Sequence, residues 1–335
     1  MKKRLYILGA GISRCMGIPI INDKFLDTIL YRFEESVKKA YEEKSNEYRV
    51  RMDLLTSVKK EIEKSKCKDF DEVNSFLEKE NKSEGLNQIY FWYFWDQRNN
   101  SINKDYYLTF INNIVNPKTD IVISFNYDLM LEKTMNALGK SYTYNPKNID
   151  ENIFKLLKPM GAVNLIQCEP NAEYSIKGQK ERFFADNLFR LVFFDKELIK
   201  ATRINERIYE INKYFEVFEN KPQKFLFRPS VYSDETFLSE YYWDYIKNFI
   251  LYEDIDEIVV IGYSFVSNDK KSRKISSKMK EFHKMILSDK RTRVVNPEID
   301  IGVVSKMYGA DFGGELNNIS FEKWIENKRE TGVGL

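Results

Sequence analysis

Four short runs of Leu, Ile and Val are each followed at once by a polar or glycine-rich turn: LYIL by GAGIS, IVIS by FNYD, IVVI by GYSF, and RVV by NPE. Helical patterns separate these runs along the chain. A strand buried on both faces reads as an unbroken apolar run, and strands that alternate with helices pair in parallel. The pattern predicts an α/β fold, a Rossmann-like doubly wound parallel sheet. In such a sheet ligands gather outside the carboxyl ends of the strands. The four turns are therefore expected to line one rim.

The rest of the chain is organised around these runs. NDKFLDTILYRFEESVKKAYEEK has Phe25, Leu26, Ile29, Leu30 and Phe33 at helical spacing, with Asn22 or Asp23 as a cap. Helical patterns continue to Asn116, so a helical insertion is expected at about 30–116 within one domain spanning 1–335. The aromatic-rich LNQIYFWYFWDQRNN has almost no basic residues and reads as a buried helix of that insertion, not a base-stacking platform. FKLLKPMGAVNLI reads as strand-loop-strand and ERFFADNLFRLVFF as partly helical. SEYYWDYIKNFILYE, KKSRKISSKMKEFHKMIL and FEKWIENKRE read as helices. The basic residues Lys270, Lys271, Arg273, Lys274, Lys278, Lys280 and Lys284, and His283 among them, read as a solvated helix face.

Composition narrows the function. With Lys+Arg 53 against Asp+Glu 51 the net charge is +2, which gives no field for direct nucleic-acid binding. No stretch approaches the ~18 apolar residues of a membrane helix, and the opening MKKRLYIL, broken by Gly9 and Gly11, reads as a core strand and not a signal peptide. Cys15, Cys67 and Cys168 are sparse and form no CxxC pair, which fits a reducing, cytoplasmic location with neither a zinc ribbon nor a disulfide framework. No metal is expected.

The first turn needs closer reading. A dehydrogenase fingerprint is G-x-G-x-x-G. Gly9 and Gly11 fit, but Arg14 stands at the third position and the next glycine is Gly17. No acidic residue closes a second strand about 20 residues on. Hydride transfer is therefore disfavoured. A Gly-Ala-Gly turn still lets backbone approach a diphosphate, and Ser13 offers a hydroxyl at a helix start.

Taken in order, GAGIS-(x)3-GIP, FNYD, GYS-(x)4-D and VVNP resemble the SIR2-like (sirtuin-fold) family, in particular its bacterial antiphage-defence branch, which lacks the sirtuin zinc ribbon. The resemblance covers most of the chain outside about 30–116. It implies that Gly9, Ala10, Gly11 and Ser13 cradle the diphosphate of NAD and that Gly17, Ile18 and Pro19 shape the wall near the nicotinamide ribose. It places Asn126 at the active-site asparagine, against the ribose or an ordered water, with Asp128 beside it as a second catalytic residue. Gly262, Tyr263 and Ser264 would approach the adenosine half, and Asn296 the adenine ribose. The implied partners are NAD or ADP-ribose, a second copy of the chain, or a defence subunit such as an ATPase or sensor.

One departure decides the chemistry. The family's catalytic histidine lies in a Leu-His-Gly segment. The matching segment here is KLLKPMG, with Met160 before Gly161. Methionine is no base. Two readings follow: an NAD-consuming hydrolase that relies on Asn126 to position water, or an impaired module that binds NAD or ADP-ribose without cleaving it. Asp128 and Glu132 lie at helical spacing, which allows paired acid/base work, but Glu132 reads rather as a helix charge or a partner for the neighbours of Lys133.

Overall fold

The structure, a computed structural model, describes residues 2–18, 25–67, 70–97, 104–144, 152–167, 174–176, 179–181, 191–193, 224–227, 240–252, 254–265 and 276–331. In chain order, strand β1 (Arg4–Leu8) leads through a 3-10 helix (Ala10–Met16) to helices α1 (Phe25–Ala40), α2 (Asn46–Ser65), α3 (Phe70–Lys79) and α4 (Ser83–Gln97). Helix α5 (Lys104–Thr109), continued by a π-helical turn (Phe110–Ile114), precedes β2 (Ile121–Ser124), α6 (Met130–Ala137), β3 (Tyr142–Thr143) and β4 (Phe154–Leu157). Five short strands follow: β5 (Gly161–Gln167), β6 (Tyr174–Ile176), β7 (Gln179–Glu181), β8 (Leu191–Phe193) and β9 (Lys224–Phe227). The chain closes with α7 (Glu240–Tyr252), β10 (Glu257–Ile261), α8 (Ser277–Ser288), β11 (Thr292–Val295), α9 (Ile301–Tyr308), β12 (Glu315–Asn317) and α10 (Phe321–Glu330).

The chain divides into two compact units, one of residues 1–20, 100–161 and 231–335, the other of 21–99 and 162–230. The first unit carries a seven-stranded sheet in the order β12-β11-β10-β1-β2-β4-β3. All its strand pairs are parallel. The apolar runs are strands because both of their faces are covered: Leu5, Tyr6, Ile7 and Leu8 are all buried, as are Ile121, Val122, Ile123, Ser124 and Ile258 to Ile261. Register places Leu8 between Ser124 and Ile261, so the three central strands end level. From β1 the chain adds strands first on the β2 side and then on the β10 side. Right-handed crossovers in opposite directions put helices on opposite faces, and the order reverses beside β1. The sheet is thus Rossmann-like and doubly wound. Three strands at its margins, β3, β4 and β12, extend the four apolar runs. Only β4 among them was expected from sequence. Helix α9 was not expected either, although Asp300 caps its start and Gly309, in a left-handed conformation, its end.

The second unit packs α1–α4 around an aromatic cluster in which Phe70 lies edge-on to Phe25 at 5.1 Å and tilted against Tyr90 at 5.4 Å. Leu86, Ile89, Tyr90 and Tyr93 of α4 are buried, as the aromatic-rich segment predicts. This unit also holds a three-stranded sheet β8-β5-β9 and the antiparallel β6–β7 pair. The segment expected to be partly helical, ERFFADNLFRLVFF, is strand at Leu191–Phe193 and at Glu181 in its described residues.

Two expectations about single charged or polar residues are corrected. His283 is not solvated: it is 0% exposed. Met279, Phe282, His283, Ile286 and Leu287 recur at helical spacing and form the buried stripe of α8, and the stripe carries the histidine inward with it. Lys280 and Lys284 do lie on the exposed face, whereas Lys270, Lys271, Arg273 and Lys274 fall outside the described residues. Glu132, expected as a helix charge or a partner for the neighbours of Lys133, is buried and pairs with Lys158. Helix α6 buries Met130, Leu131, Glu132, Thr134 and Met135, so nearly all sides of this short helix face protein. Among the described residues no helix is long and apolar enough to cross a membrane.

Candidate functional site

The turns that follow β1, β2, β10 and β11 are stitched to one another at the carboxyl edge of the sheet. The backbone amides of Gly9 and Gly11 donate to the carbonyls of Ile261 (3.0 Å) and Gly262 (2.9 Å). The amide of Phe125 donates to Leu8 (2.9 Å), and that of Gly262 to Val295 (3.0 Å). Asn296 Nδ2 donates to the carbonyl of Tyr263 at 3.0 Å. On the surface, Arg14 pairs with Glu298 at 3.1 Å. The sequence motifs therefore meet in space: GAGIS, FNYD, GYSF and VVNP occupy one rim, beside the point where the strand order reverses.

The glycines have a reason that the motif alone does not reveal. A Cβ on Gly9 would lie 2.5 Å from both Gly262 O and Tyr263 Cα, one on Gly11 2.7 Å from Gly262 Cα, and one on Gly262 2.7 Å from Ile12 N. These glycines let the first turn and the β10 turn touch backbone to backbone. The amides of Gly9 and Gly11 are used in that contact. Gly17, at φ 73°, ends the 3-10 helix, and Ile18 after it is buried. Pro19 lies outside the described residues.

Beneath the rim sits a buried polar cluster. Ser13 Oγ donates to Asp128 Oδ2 at 2.7 Å, a short charge-assisted bond. Asn126 Nδ2 donates both to Ser13 Oγ and to the carbonyl of Gly9, each at 3.0 Å. The Tyr107 hydroxyl completes the cluster, 3.2 Å from Ser13 Oγ. Burial and the neighbouring Asp128 push the Tyr107 phenol well up, so it stays protonated. The second Asp128 oxygen accepts from the amide of Met130 at 3.0 Å and caps the start of α6. Both carboxylate oxygens are thus engaged. The carboxamide oxygen of Asn126 is different: it is buried and has no hydrogen-bond partner among the described residues. Asn126 is 6% exposed.

A second layer holds the FNYD turn from below. Lys158, 1% exposed, donates to the carbonyls of Asn126 (2.9 Å) and Asp128 (2.8 Å) and pairs with Glu132 at 3.1 Å. The Tyr144 hydroxyl donates to the same Glu132 oxygen at 2.8 Å. Burial pushes the Glu132 carboxyl up, and the Lys158 charge opposes that shift. Met160 is buried two residues on, and Gly161 follows at φ 85°.

On the other flank, Tyr263 turns its hydroxyl away from the rim and into the core, where it lies 2.8 Å from His283 Nε2. Its ring packs against Phe125 at 4.9 Å, tying the β10 turn to the β2 turn. Ser264 is exposed, and Phe265 holds a left-handed backbone at φ 46°. Sequence reasoning located Ser13, Asn126, Asp128, Tyr263 and Asn296 in this arrangement. It missed Lys158 and Tyr107. A lysine inside the apolar run FKLLKPM was a readable signal for the first. The second carries none, being one tyrosine among several in a helical stretch.

No family model and no curated protein matches the chain. Among solved structures it is similar to Sir2 in complex with an inhibitor, 2′-O-acetyl-ADP-ribose and a deacetylated p53 peptide, at 12% identity and a TM-score of 0.37 over 99% of this chain and 94% of that one. It is similar also to a Sir2–p53 peptide–NAD+ complex, at 12% identity and a TM-score of 0.41 over 99% and 93% of the two chains. A Sir2 homologue variant bound to ADP-ribose stands at 12% and 0.41, over 99% and 95%. At these scores the fold rests on the parallel sheet itself, and the ligands belong to those proteins.

Proposed function

We propose that the chain is a SIR2-like module, read as one functional unit over 1–335 with the helical insertion at about 30–116. It takes NAD or ADP-ribose at the rim described above. In this reading it is an NAD-consuming hydrolase of bacterial antiviral defence type, acting in the cytoplasm with further copies of itself or with an ATPase or sensor subunit. The observation that carries the reading is the Asn126 carboxamide. Its Nδ2 is anchored twice, so its orientation is fixed, and its oxygen is a buried acceptor with no partner among the described residues. Such an atom costs free energy unless a ligand hydroxyl or a water donates to it. A ribose hydroxyl or an attacking water would do so.

The chemistry needs little more. NAD and water give nicotinamide and ADP-ribose. The C1′–N bond breaks with its electron pair leaving on neutral nicotinamide, water adds to the oxocarbenium carbon, and its proton passes to solvent. Holding water by Asn126 Oδ1 supplies position, not basicity. A general base adds a further ~100- to 10,000-fold. None is free at the rim among the described residues: Asp128 has both oxygens bonded, His283 is in the core, and Met160 stands where the family motif has histidine. The expected hydrolysis is therefore slow. Purified wild-type protein should release nicotinamide from NAD, and Asn126→Ala should lower that rate by ~100-fold. Wild-type protein that neither releases nicotinamide nor binds ADP-ribose would overturn the reading.

Met160 in place of the motif's histidine also favours a second reading, binding without cleavage. Calorimetry would then show a nucleotide complex in which NAD stays intact, and Met160→His would switch hydrolysis on.

A further inference from the structure

We infer that Lys158 is the positioning residue of the rim: its buried ammonium sets the backbone of Asn126 and Asp128, and through it the aim of the Asn126 carboxamide. This inference rests on the reading of the rim as a nucleotide site. Strands β2 and β4 pair in register from Ile121 and Lys155 to Ile123 and Leu157. One step further, the β2 chain leaves the sheet and Lys158 begins the β4 turn. That turn is tight, with the Gly161 amide donating to the Lys158 carbonyl at 3.0 Å. The lysine is therefore held at its own backbone, directly beside the departing FNYD turn.

An ammonium has three donors and no acceptor. Here all three are used, on Asn126 O, Asp128 O and Glu132 Oε1. The two carbonyls have left the sheet ladder, and a buried carbonyl needs a donor. By drawing both inward, Lys158 leaves the intervening side chains to point the other way. Asn126 Nδ2 then meets Gly9 and Ser13, and Asp128 Oδ2 meets Ser13. Glu132 balances the charge and is itself held by Tyr144. Arginine does not substitute for this, because its planar fork cannot converge on three acceptors from one point.

The test uses the full chain as Lys158→Met, and as Lys158→Met with Glu132→Gln. The double variant leaves no buried charge unpaired and keeps an acceptor for Tyr144, so it should fold where the single variant does not. Two measurements are made on the folded variant. In the ligand-free protein, amide hydrogen exchange at 125–130 should accelerate by ~100-fold, while exchange in β1, β10 and β11 stays within a few fold of wild type. In titrations with ADP-ribose, the dissociation constant should rise by ~30- to 100-fold. A general loss of stability would instead raise exchange throughout the sheet. Unchanged exchange at 125–130, or acceleration spread evenly over the sheet, overturns the inference. Wild-type protein that binds no ADP-ribose refutes the nucleotide reading instead, and the exchange measurement then still decides whether Lys158 sets the turn.

Discussion

Gly262→Ala is expected to destabilise the protein by roughly 2–5 kcal/mol, and two companion substitutions divide that loss into its parts. Gly262 has φ +61°, and an added Cβ would come within 2.7–2.9 Å of the backbone of Gly11 and Ile12. It therefore meets left-handed strain and a steric overlap with atoms that cannot rotate away. Gly9 has φ −113°, a conformation open to any residue, but its Cβ would lie 2.5 Å from Gly262 O and Tyr263 Cα. Alanine there isolates the overlap, about 1–3 kcal/mol. Gly139 has φ +65° with nothing within 4 Å. Alanine there isolates the strain, about 1–2 kcal/mol. Urea unfolding of the three variants should place Gly262→Ala near the sum of the other two. Equal losses for Gly262→Ala and Gly139→Ala would mean that the two turns do not touch as described. The outcome bears on the site, because the contact between these turns fixes the rim on which Asn126 and Asn296 stand.

The sheet was legible because its central strands are buried on both faces. Leu5–Leu8, Ile121–Ser124 and Ile258–Ile261 must then be apolar throughout, and such runs stand out in any sequence. Strand β12, Glu-Leu-Asn at the sheet margin, is partly exposed, and nothing in its composition separates it from a loop. The rim was legible for a related reason: parallel strands that end level must present their turns together. What lay under the rim was less so. The resemblance gives Gly9 and Gly11 to a diphosphate and Gly262 to the adenosine half; the structure adds that all three let the two turns touch backbone to backbone. Asp128 is expected as a second catalytic residue, and its hydrogen bonds to Ser13 and Met130 are not visible in the sequence. The Met130 bond is local, but Ser13 and Gly9 lie more than 100 positions from the Asp128 and Asn126 they hold, and no local spacing encodes such partners. Lys158 passed unread inside an apolar run, and His283 was misjudged by residue type, since histidine among lysines is usually solvated. For His283 the helical period of its neighbours was the better guide.

His283 should also give the fold a measurable acid sensitivity. The imidazole is ringed by Tyr263, Phe265, Phe282 and Tyr308, with ring centroids 4.6–6.0 Å away. Its Nδ1 has no partner among the described residues, and burial lowers its pKa from 6.5 to about 3. Charging the ring would create two N–H donors, and the Tyr263 oxygen can accept only one of them. The sign follows from proton binding. Between pH 6.5 and 3 the unfolded chain holds a proton on this residue that the native state lacks. Unfolding in that window takes up a proton, so stability falls as pH falls, and the contribution is constant above the unfolded pKa. From pH 6.5 to 4.5 the loss from this one group is about 2 kcal/mol. Other groups titrate over the same range, so the informative quantity is a difference between variants. Gln at 283 keeps a partner for the Tyr263 hydroxyl and removes the titration. His283→Gln should be less stable than wild type at pH 7 through poorer packing, and the gap should shrink or reverse by pH 4.5, as read from urea midpoints at each pH. Parallel stability curves for the two proteins would show that His283 reaches solvent or a carboxylate, and that the β10 turn is not anchored through Tyr263 to the core.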